Sequence, residues 1–238
     1  MATWFSFRDV ASFEKGVCVM AYPNETIAQE RIEFQPIIGR SGTLALRERA
    51  DAMVFDDIVL DIQCYLRDYH AYARDEVARW LRGYGVLILG NNPDYCFRAH
   101  AINQIDMEKV MRGHRAKTFK AVFRCAPFRY LAKAESCTYT APGSITNRGS
   151  IEAEPIIRIS GTGNVTLSIG DVGITLTGMS GTVIVDCETG TALAADTGAN
   201  TQITLPDGVW PAIPTGKSDI NWTGAVSEVI IEPNWRWL

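Results

Sequence analysis

The sequence predicts a mainly β protein of two domains: an N-terminal β domain that carries one α-helix, and a C-terminal all-β sandwich. Three observations support this fold class. Strand-like runs alternate with glycine turns through the second half, one segment shows helical periodicity, and the composition changes between residues 138 and 150. With 238 residues, 47% of them hydrophobic, the chain is long enough for two domains that each bury a core.

In the first half, strands are predicted at residues 5–7, 16–20, 57–66, 85–89, 95–100 and 117–125. The helix is predicted near residues 75–83. Its apolar face repeats at helical spacing on Val77, Trp80, Leu81 and Tyr84, and Asp75 supplies an acidic first turn.

Residues 138–150 are rich in Pro, Gly, Ser and Thr, so we expect a linker there. The predicted domains are therefore residues 1–137 and 151–238. In the second domain, strands are predicted at 155–160, 164–169, 174–177, 182–186, 202–205, 219–222 and 226–231. The glycines at 161, 163, 178 and 181 are interpreted as turns between short strands, and no helix is expected.

Charge argues against a nucleic-acid-binding domain. Residues 1–140 carry 19 Lys and Arg against 17 Asp and Glu, whereas residues 141–238 carry 4 against 10. Specific binding to DNA or RNA depends on neutralising phosphates, which neither half favours.

The sequence offers no pattern for catalysis or for a cofactor. The three histidines share no motif with a Cys, Ser or carboxylate, and no phosphate-binding glycine loop is present. The six cysteines are scattered without a C-x-x-C pair, so buried free thiols are expected rather than disulfides or a metal site. We expect a protein that is not an enzyme, with no cofactor and no metal.

The ends of the sequence carry two further expectations. The N-terminus has no signal-peptide pattern and no apolar run approaches the length of a membrane helix, so synthesis in the cytosol and no membrane anchor are expected. At the other end, Trp235, Arg236 and Trp237 are expected to be docked against a folded domain, because most domains end in frayed polar residues.

Two groups of residues are candidate interaction sites. The segment from Ile37 to Arg49 is apolar, then basic, and interrupted by glycine, which is typical either of a hairpin arm that reaches a neighbouring subunit or of an ordinary surface loop. The candidate arm residues are Ile37, Arg40, Leu44, Arg47 and Arg49. In the second domain, Trp210 and Trp222 are either core residues or contacts for a sugar or a partner.

Several phrases, in order along the chain, resemble the distal tail protein (Dit) of long-tailed phages and prophages. They are AYP at 21–23, GRSGTL at 39–44, NPDYCFRAH at 92–100, IDM at 105–107, FKAVFRCAPFRYL at 119–131, AEPIIRI at 153–159, INWTG at 220–224 and PNWRWL at 233–238. The segment FQPIIGR at 34–40 departs from the pattern by an extra residue pair.

The resemblance implies a tail-tube-like N-terminal domain and a galectin-like C-terminal sandwich. It also implies a homo-hexameric ring at the virion tail tip, assembled in the bacterial cytoplasm, that joins the tail tube protein to the tail-associated hub protein. Such rings often anchor receptor-binding proteins, and DNA passes through the lumen without specific binding. The alternative function is a carbohydrate-binding module that recognises cell-wall glycans through the C-terminal sandwich.

Overall fold

The structure is a computed structural model that describes residues 3–47, 53–68, 70–102, 107–109, 116–133, 135–194, 197–206 and 208–238. It divides into two compact units, residues 1–132 together with Leu238, and residues 133–237. Both units consist mainly of antiparallel strands, which confirms the predicted fold class. In the part of the chain described, no helix is long and apolar enough to span a membrane.

The first unit contains a large antiparallel sheet, one α-helix and a separate hairpin. Its elements are β1 (Phe5–Phe7), β2 (Val10–Ala11), a 3₁₀ turn (Ser12–Lys15), β3 (Val17–Ala21), β4 (Ile32–Pro36), β5 (Thr43–Arg47), β6 (Ile58–Leu66), α1 (Ala71–Trp80), β7 (Gly83–Leu89), β8 (Asn92–Ala101), β9 (Glu108–Lys109), β10 (Lys117–Cys125) and β11 (Arg129–Leu131). The sheet order is β2-β1-β7-β8-β10-β6-β3, and β4 and β5 form a separate two-stranded sheet.

Alternation along the central strands places one face of this sheet in the core. On β10, Phe119, Ala121 and Phe123 are buried, and the residues between them are exposed or partly exposed. Register pairs Ala121 with Ile62 of β6, which is fully buried on the same face. Alternation along these two predicted strands therefore selects the buried side chains.

Helix α1 packs its apolar residues onto that core. Val77, Trp80 and Leu81 are buried as predicted. The Trp80 ring stacks on Phe5 with centroids 5.2 Å apart, and Trp80 Nε1 donates a hydrogen bond to the Phe7 carbonyl at 2.9 Å. The indole thus buries its ring while satisfying its only donor.

Both ends of the helix differ from the prediction. The helix begins at Ala71, because the Nδ1 atom of His70 caps it by accepting a hydrogen bond from the Ala73 N–H at 3.1 Å. Asp75 therefore lies inside the helix rather than at its start. The helix ends before Tyr84, which is exposed in β7 and not part of the helical apolar face.

The second unit is built on three long strands. Its elements are β12 (Cys137–Tyr139), β13 (Gly143–Asn147), β14 (Ile156–Ile169), β15 (Val172–Asp186), β16 (Thr191–Ala194), β17 (Thr197–Gly198), a 3₁₀ turn (Asn200–Gln202), β18 (Ile203–Thr204), β19 (Gly216–Glu232) and β20 (Arg236–Trp237). The strand order is β12-β19-β14-β15-β16-β17, with β13 also on β19 and β18 also on β15. Residues 138–150, expected to form a linker, include β13 and most of β12.

The prediction of short strands separated by glycine turns was wrong for β14, β15 and β19. Each long strand replaces two predicted ones and continues through its glycines, with register shifts between Gly163 and Val165 and near Gly161. Close approach of neighbouring backbones explains the glycines. A Cβ on Gly161 would lie 2.5 Å from the Ala225 carbonyl oxygen, and a Cβ on Gly224 would lie 2.4 Å from that of Asn164. These glycines mark bulges inside strands rather than turns.

The bulges divide β14 into two halves that both contribute to the core. In β14, Ile157 and Ile159 are buried before the glycines, and Leu167 and Ile169 are buried after them. The first half of β14 pairs with the end of β15, and the second half with its beginning, where β18 joins.

Candidate functional site

The β4–β5 hairpin is the feature that best fits an interaction site. The register pairs Phe34 with Ala45 and Gln35 with Leu44, and residues 37–42 connect the strands. Every residue from Glu33 to Arg47 is exposed, including the large apolar side chains of Phe34, Ile37, Ile38, Leu44 and Leu46. A two-stranded hairpin is only marginally stable alone, so this one needs further support.

One ion pair and one backbone hydrogen bond join the base of the hairpin to residues 54–56, and a second ion pair joins the two ends of the hairpin. Arg31 Nε donates to Asp56 Oδ1 at 2.7 Å, and the Arg31 N–H donates to the Val54 carbonyl at 2.7 Å. Arg47 Nε lies 3.1 Å from Glu30 Oε1, a contact that lacks hydrogen-bond geometry; the structure places no hydrogen-bond donor on that oxygen within its described ranges. The base is fixed while the rest of the hairpin extends into solvent.

The predicted arm residues are distributed along this hairpin. Ile37 and Arg40 lie in the connecting turn, where the Arg40 N–H donates to the Ile37 carbonyl at 3.2 Å. Leu44 lies on β5 and Arg47 at its base. Arg49 lies outside the described residues. The hairpin form of the arm is confirmed, but its first strand, Ile32–Pro36, precedes the predicted segment.

The apolar residues of the hairpin lie on both of its faces. Paired residues share a face and alternate along the strands, so Phe34 and Ala45 lie on one face and Leu44 and Leu46 on the other. The sequence prediction missed Phe34, Ile38 and Leu46. The signal that could have found them is apolar residues on both sides of a glycine-containing turn with no sheet to cover them.

The predicted aromatic site in the second unit consists of two half-buried residues. Trp222 on β19 pairs in register with the fully buried Leu167, so its ring is on the side of the core. Trp210 lies against Gly190, where a Cβ would be 2.9 Å from Trp210 Nε1. The two side chains belong to separate segments, each packed against its own neighbour.

A cavity of about 140 Å³ opens in the first unit. Its apolar lining consists of Pro23, Ile27, Leu60, Leu89, Phe97 and Leu238, and Glu25 and Arg129 contribute charge. Arg129 is engaged, since its Nη2 donates to the Leu238 carbonyl at 3.1 Å and its guanidinium lies over the Tyr95 ring. Polar residues also line it, namely Asn24, Thr26, Asn91, Asn92 and Tyr95, so the cavity has a mixed apolar and polar lining with one acid, Glu25.

Groups that could perform chemistry are dispersed or protected. His70 caps a helix and His100 lies against Tyr84, whereas His114 is outside the described residues. The six cysteines are free thiols. Burial raises the pKa of Cys64, Cys125 and Cys187 to about 12, so these thiols are protonated at neutral pH. Over the described part of the chain, no cluster of three or more His, Cys, Asp or Glu could hold a metal.

Comparison with known proteins identifies the fold. No protein-family model matches the chain, and no curated protein does. Among solved structures, the chain is similar to the crystal structure of the Dit protein (gp 19.1) of SPP1, at a TM-score of 0.76 with 11% identity over 100% of both chains. The chain has the distal tail protein fold.

The match to the distal tail protein fold confirms the resemblance suggested by the sequence, at the level of structure. The SPP1 protein is described as a paradigm of the hub adsorption apparatus in phages that infect Gram-positive bacteria. Because both chains are covered in full, the similarity extends over both units of this chain.

Proposed function

We propose that this chain is a structural protein of a phage tail tip and acts as a distal tail protein. The observation that carries the proposal is the full-length match to the SPP1 Dit fold, which includes both units. In this role the protein is not an enzyme. It forms a hexameric ring that joins the tail tube protein to the tail-associated hub protein and serves as an attachment point for receptor-binding proteins.

The hairpin arm is the proposed contact between ring subunits. A ring requires a heterologous interface, in which one surface of a subunit meets a different surface of the next. The arm is fixed at its base, apolar on both faces and fully solvent-exposed, so it supplies one of the two surfaces. Ile37, Arg40 and Leu44 are the predicted arm residues nearest its tip.

The lumen of such a ring must let DNA pass without holding it. Phosphate binding depends on unneutralised cations, and two exposed cations of the first unit are paired with acids. Arg124 Nε lies 2.8 Å from Asp57 Oδ2 and Lys120 Nζ 3.7 Å from Asp61 Oδ2 on the exposed face of the main sheet. A channel wall with this charge balance has little affinity for DNA.

The mass and shape of the purified protein test this proposal. Light scattering is expected to give six chain masses, and negative-stain images are expected to show rings with a central channel. Assembly is measured alone and again with tail tube and hub proteins, because the ring can require them. A monomer that fails to join tube and hub, yet binds cell-wall glycans, would instead support the carbohydrate-binding function.

A further inference from the structure

The tip of the hairpin carries an apolar side chain with no cover. Ile38 is fully exposed, next to the partly exposed Ile37. Strand β4, from Ile32 to Pro36, spans about 13 Å, and Ile38 lies in the turn beyond it. The tip therefore lies away from the base of the hairpin and presents Ile38 as an apolar knob. Arg40 lies two residues further along the chain.

The cavity of the first unit is large enough to receive the Ile38 side chain. It offers about 140 Å³, and its mixed lining includes the apolar side chains of Ile27, Leu60, Leu89 and Phe97 beside the asparagines at 24, 91 and 92. An apolar cavity of about 150 Å³ accepts a molecule as large as benzene, so this one accommodates the four-carbon side chain of isoleucine. Inserting it removes both apolar surfaces from water.

Charge beside the knob and beside the cavity is also complementary. Residues 36–47 contain two arginines, Arg40 and Arg47, and no acid. Of these, Arg47 is already paired at the base, which leaves Arg40 as the cation near the tip. At the cavity, Glu25 lies two residues from Ile27, matching the spacing between Arg40 and Ile38.

We propose that Ile38 of one copy inserts into the cavity beside Ile27 of a second copy, with Arg40 pairing with Glu25 at the rim. The inference rests on the proposed assembly into a ring and names the two surfaces that meet. The knob and the cavity are different surfaces of the same chain, so each copy inserts its Ile38 into one neighbour and accepts the Ile38 of the other. The contact can therefore repeat around a closed ring.

Disulfide trapping tests the contact directly. In a Cys18→Ser, Cys137→Ser background, which removes the two partly exposed thiols, one variant carries Ile38→Cys and another Ile27→Cys. Mixed under mild oxidation, they are expected to cross-link at least about tenfold faster than the matched pair Ile38→Cys with Tyr72→Cys, because docking raises the effective concentration of the thiols. Ile27 and Tyr72 are similarly exposed, at 74% and 66%, so accessibility alone predicts equal rates, and equal rates would overturn the proposal.

Charge reversal provides the second readout. Arg40→Glu is expected to lower the cross-linking rate about fivefold or more, and adding Glu25→Arg on the other partner is expected to restore it. Failure of the double reversal to recover the rate would sink the Arg40–Glu25 pair. Circular dichroism confirms that each variant is folded.

The trapping result is separable from the proposed function. Rings seen by microscopy together with equal cross-linking rates would reject the knob-and-cavity contact and leave the ring intact. Selective cross-linking without rings, even with tube and hub present, would establish the contact and reject the ring.

Discussion

Arg236 Nη1 lies 2.7 Å from Glu154 Oε2, although the Arg236 side chain is only 8% exposed. Its Nε also donates to the Glu152 carbonyl at 2.8 Å, and the Glu154 carbonyl accepts from Asn234 Nδ2 at 3.1 Å. The segment after β19 is thus held to the segment before β14, with Trp235 buried beside it. The expectation that Trp235 and Arg236 are docked is confirmed.

Removing the carboxylate of Glu154 is expected to destabilise the protein. Glu154→Ala leaves the buried guanidinium of Arg236 without its counter-charge, at a cost of about 2 kcal/mol in the free energy of unfolding. The matched control is Glu232→Ala, which breaks the more exposed Arg158–Glu232 pair of 3.0 Å and is expected to cost below about 1 kcal/mol. Urea denaturation measures the loss of stability in both variants. Equal losses would contradict the inference that burial of Arg236 strengthens the effect of removing its partner.

Glycines at the bulges are expected to resist substitution. Gly224→Ala combines a φ of 101° with a Cβ 2.4 Å from the Asn164 carbonyl oxygen, so the expected loss is about 3 kcal/mol. Gly198→Ala is the control, since nothing lies within 4 Å of its Cβ and its φ is not positive; it is expected to change stability by less than about 1 kcal/mol. Thermal unfolding of the two variants tests this prediction. An unchanged unfolding midpoint for Gly224→Ala would refute the close approach of the Asn164 carbonyl.

The buried thiols predict a loss of stability at high pH. Burial raises the pKa of Cys64 from its ordinary value of 9.0 to about 12, and Cys125 and Cys187 behave in the same way. Above pH 9 the unfolded chain loses these protons and the folded chain keeps them, so the stability present below pH 9 falls progressively toward pH 12.

Thiol labelling checks the same assignment. At pH 8 the folded protein should react with a thiol reagent first at the partly exposed Cys18 and Cys137, and at all six cysteines only after unfolding. Between pH 9 and 12, the free energy of unfolding of Cys64→Ala is expected to fall less steeply than that of the parent protein. An identical pH profile would count against the raised pKa.

Substitution of Trp210 and Trp222 distinguishes a structural role of these residues from sugar binding. Trp210→Ala is expected to cost about 2 kcal/mol, because the indole covers Gly190. No cell-wall glycan is expected to bind the parent protein through Trp210 or Trp222. Glycan-array binding that disappears in folded Trp210→Ala or Trp222→Ala variants would instead establish the carbohydrate-binding alternative.

We propose a boundary near residue 133 for an independently folding sandwich. Residues 133–237 expressed alone are expected to fold as an all-β domain. The shorter fragment 141–238 lacks β12, which pairs Cys137 with Ile231 and Tyr139 with Val229, and is expected to be less stable by about 1–2 kcal/mol. Far-ultraviolet circular dichroism and urea midpoints test this, and a helical or unfolded spectrum for 133–237 would reject the boundary.

The sequence was most informative where a local pattern and the core coincide. Helical spacing on Val77, Trp80 and Leu81 predicted both helix α1 and its buried residues, because burial on one face is what produces the pattern. The sequence did not reveal that His70 caps the helix, since a cap depends on a single hydrogen bond rather than on a repeat.

By itself, the sequence determined the fold class, the single helix and the resemblance to distal tail proteins. Tertiary structure decided what the glycines mean. Gly161 looks like a turn residue in the sequence, yet it lies within a long strand, where the neighbouring backbone passes too close for a Cβ. It also decided which apolar residues remain exposed. Ile38 and Ile62 are the same type of residue, and only tertiary packing leaves Ile38 exposed at the tip of the arm and Ile62 buried in the core.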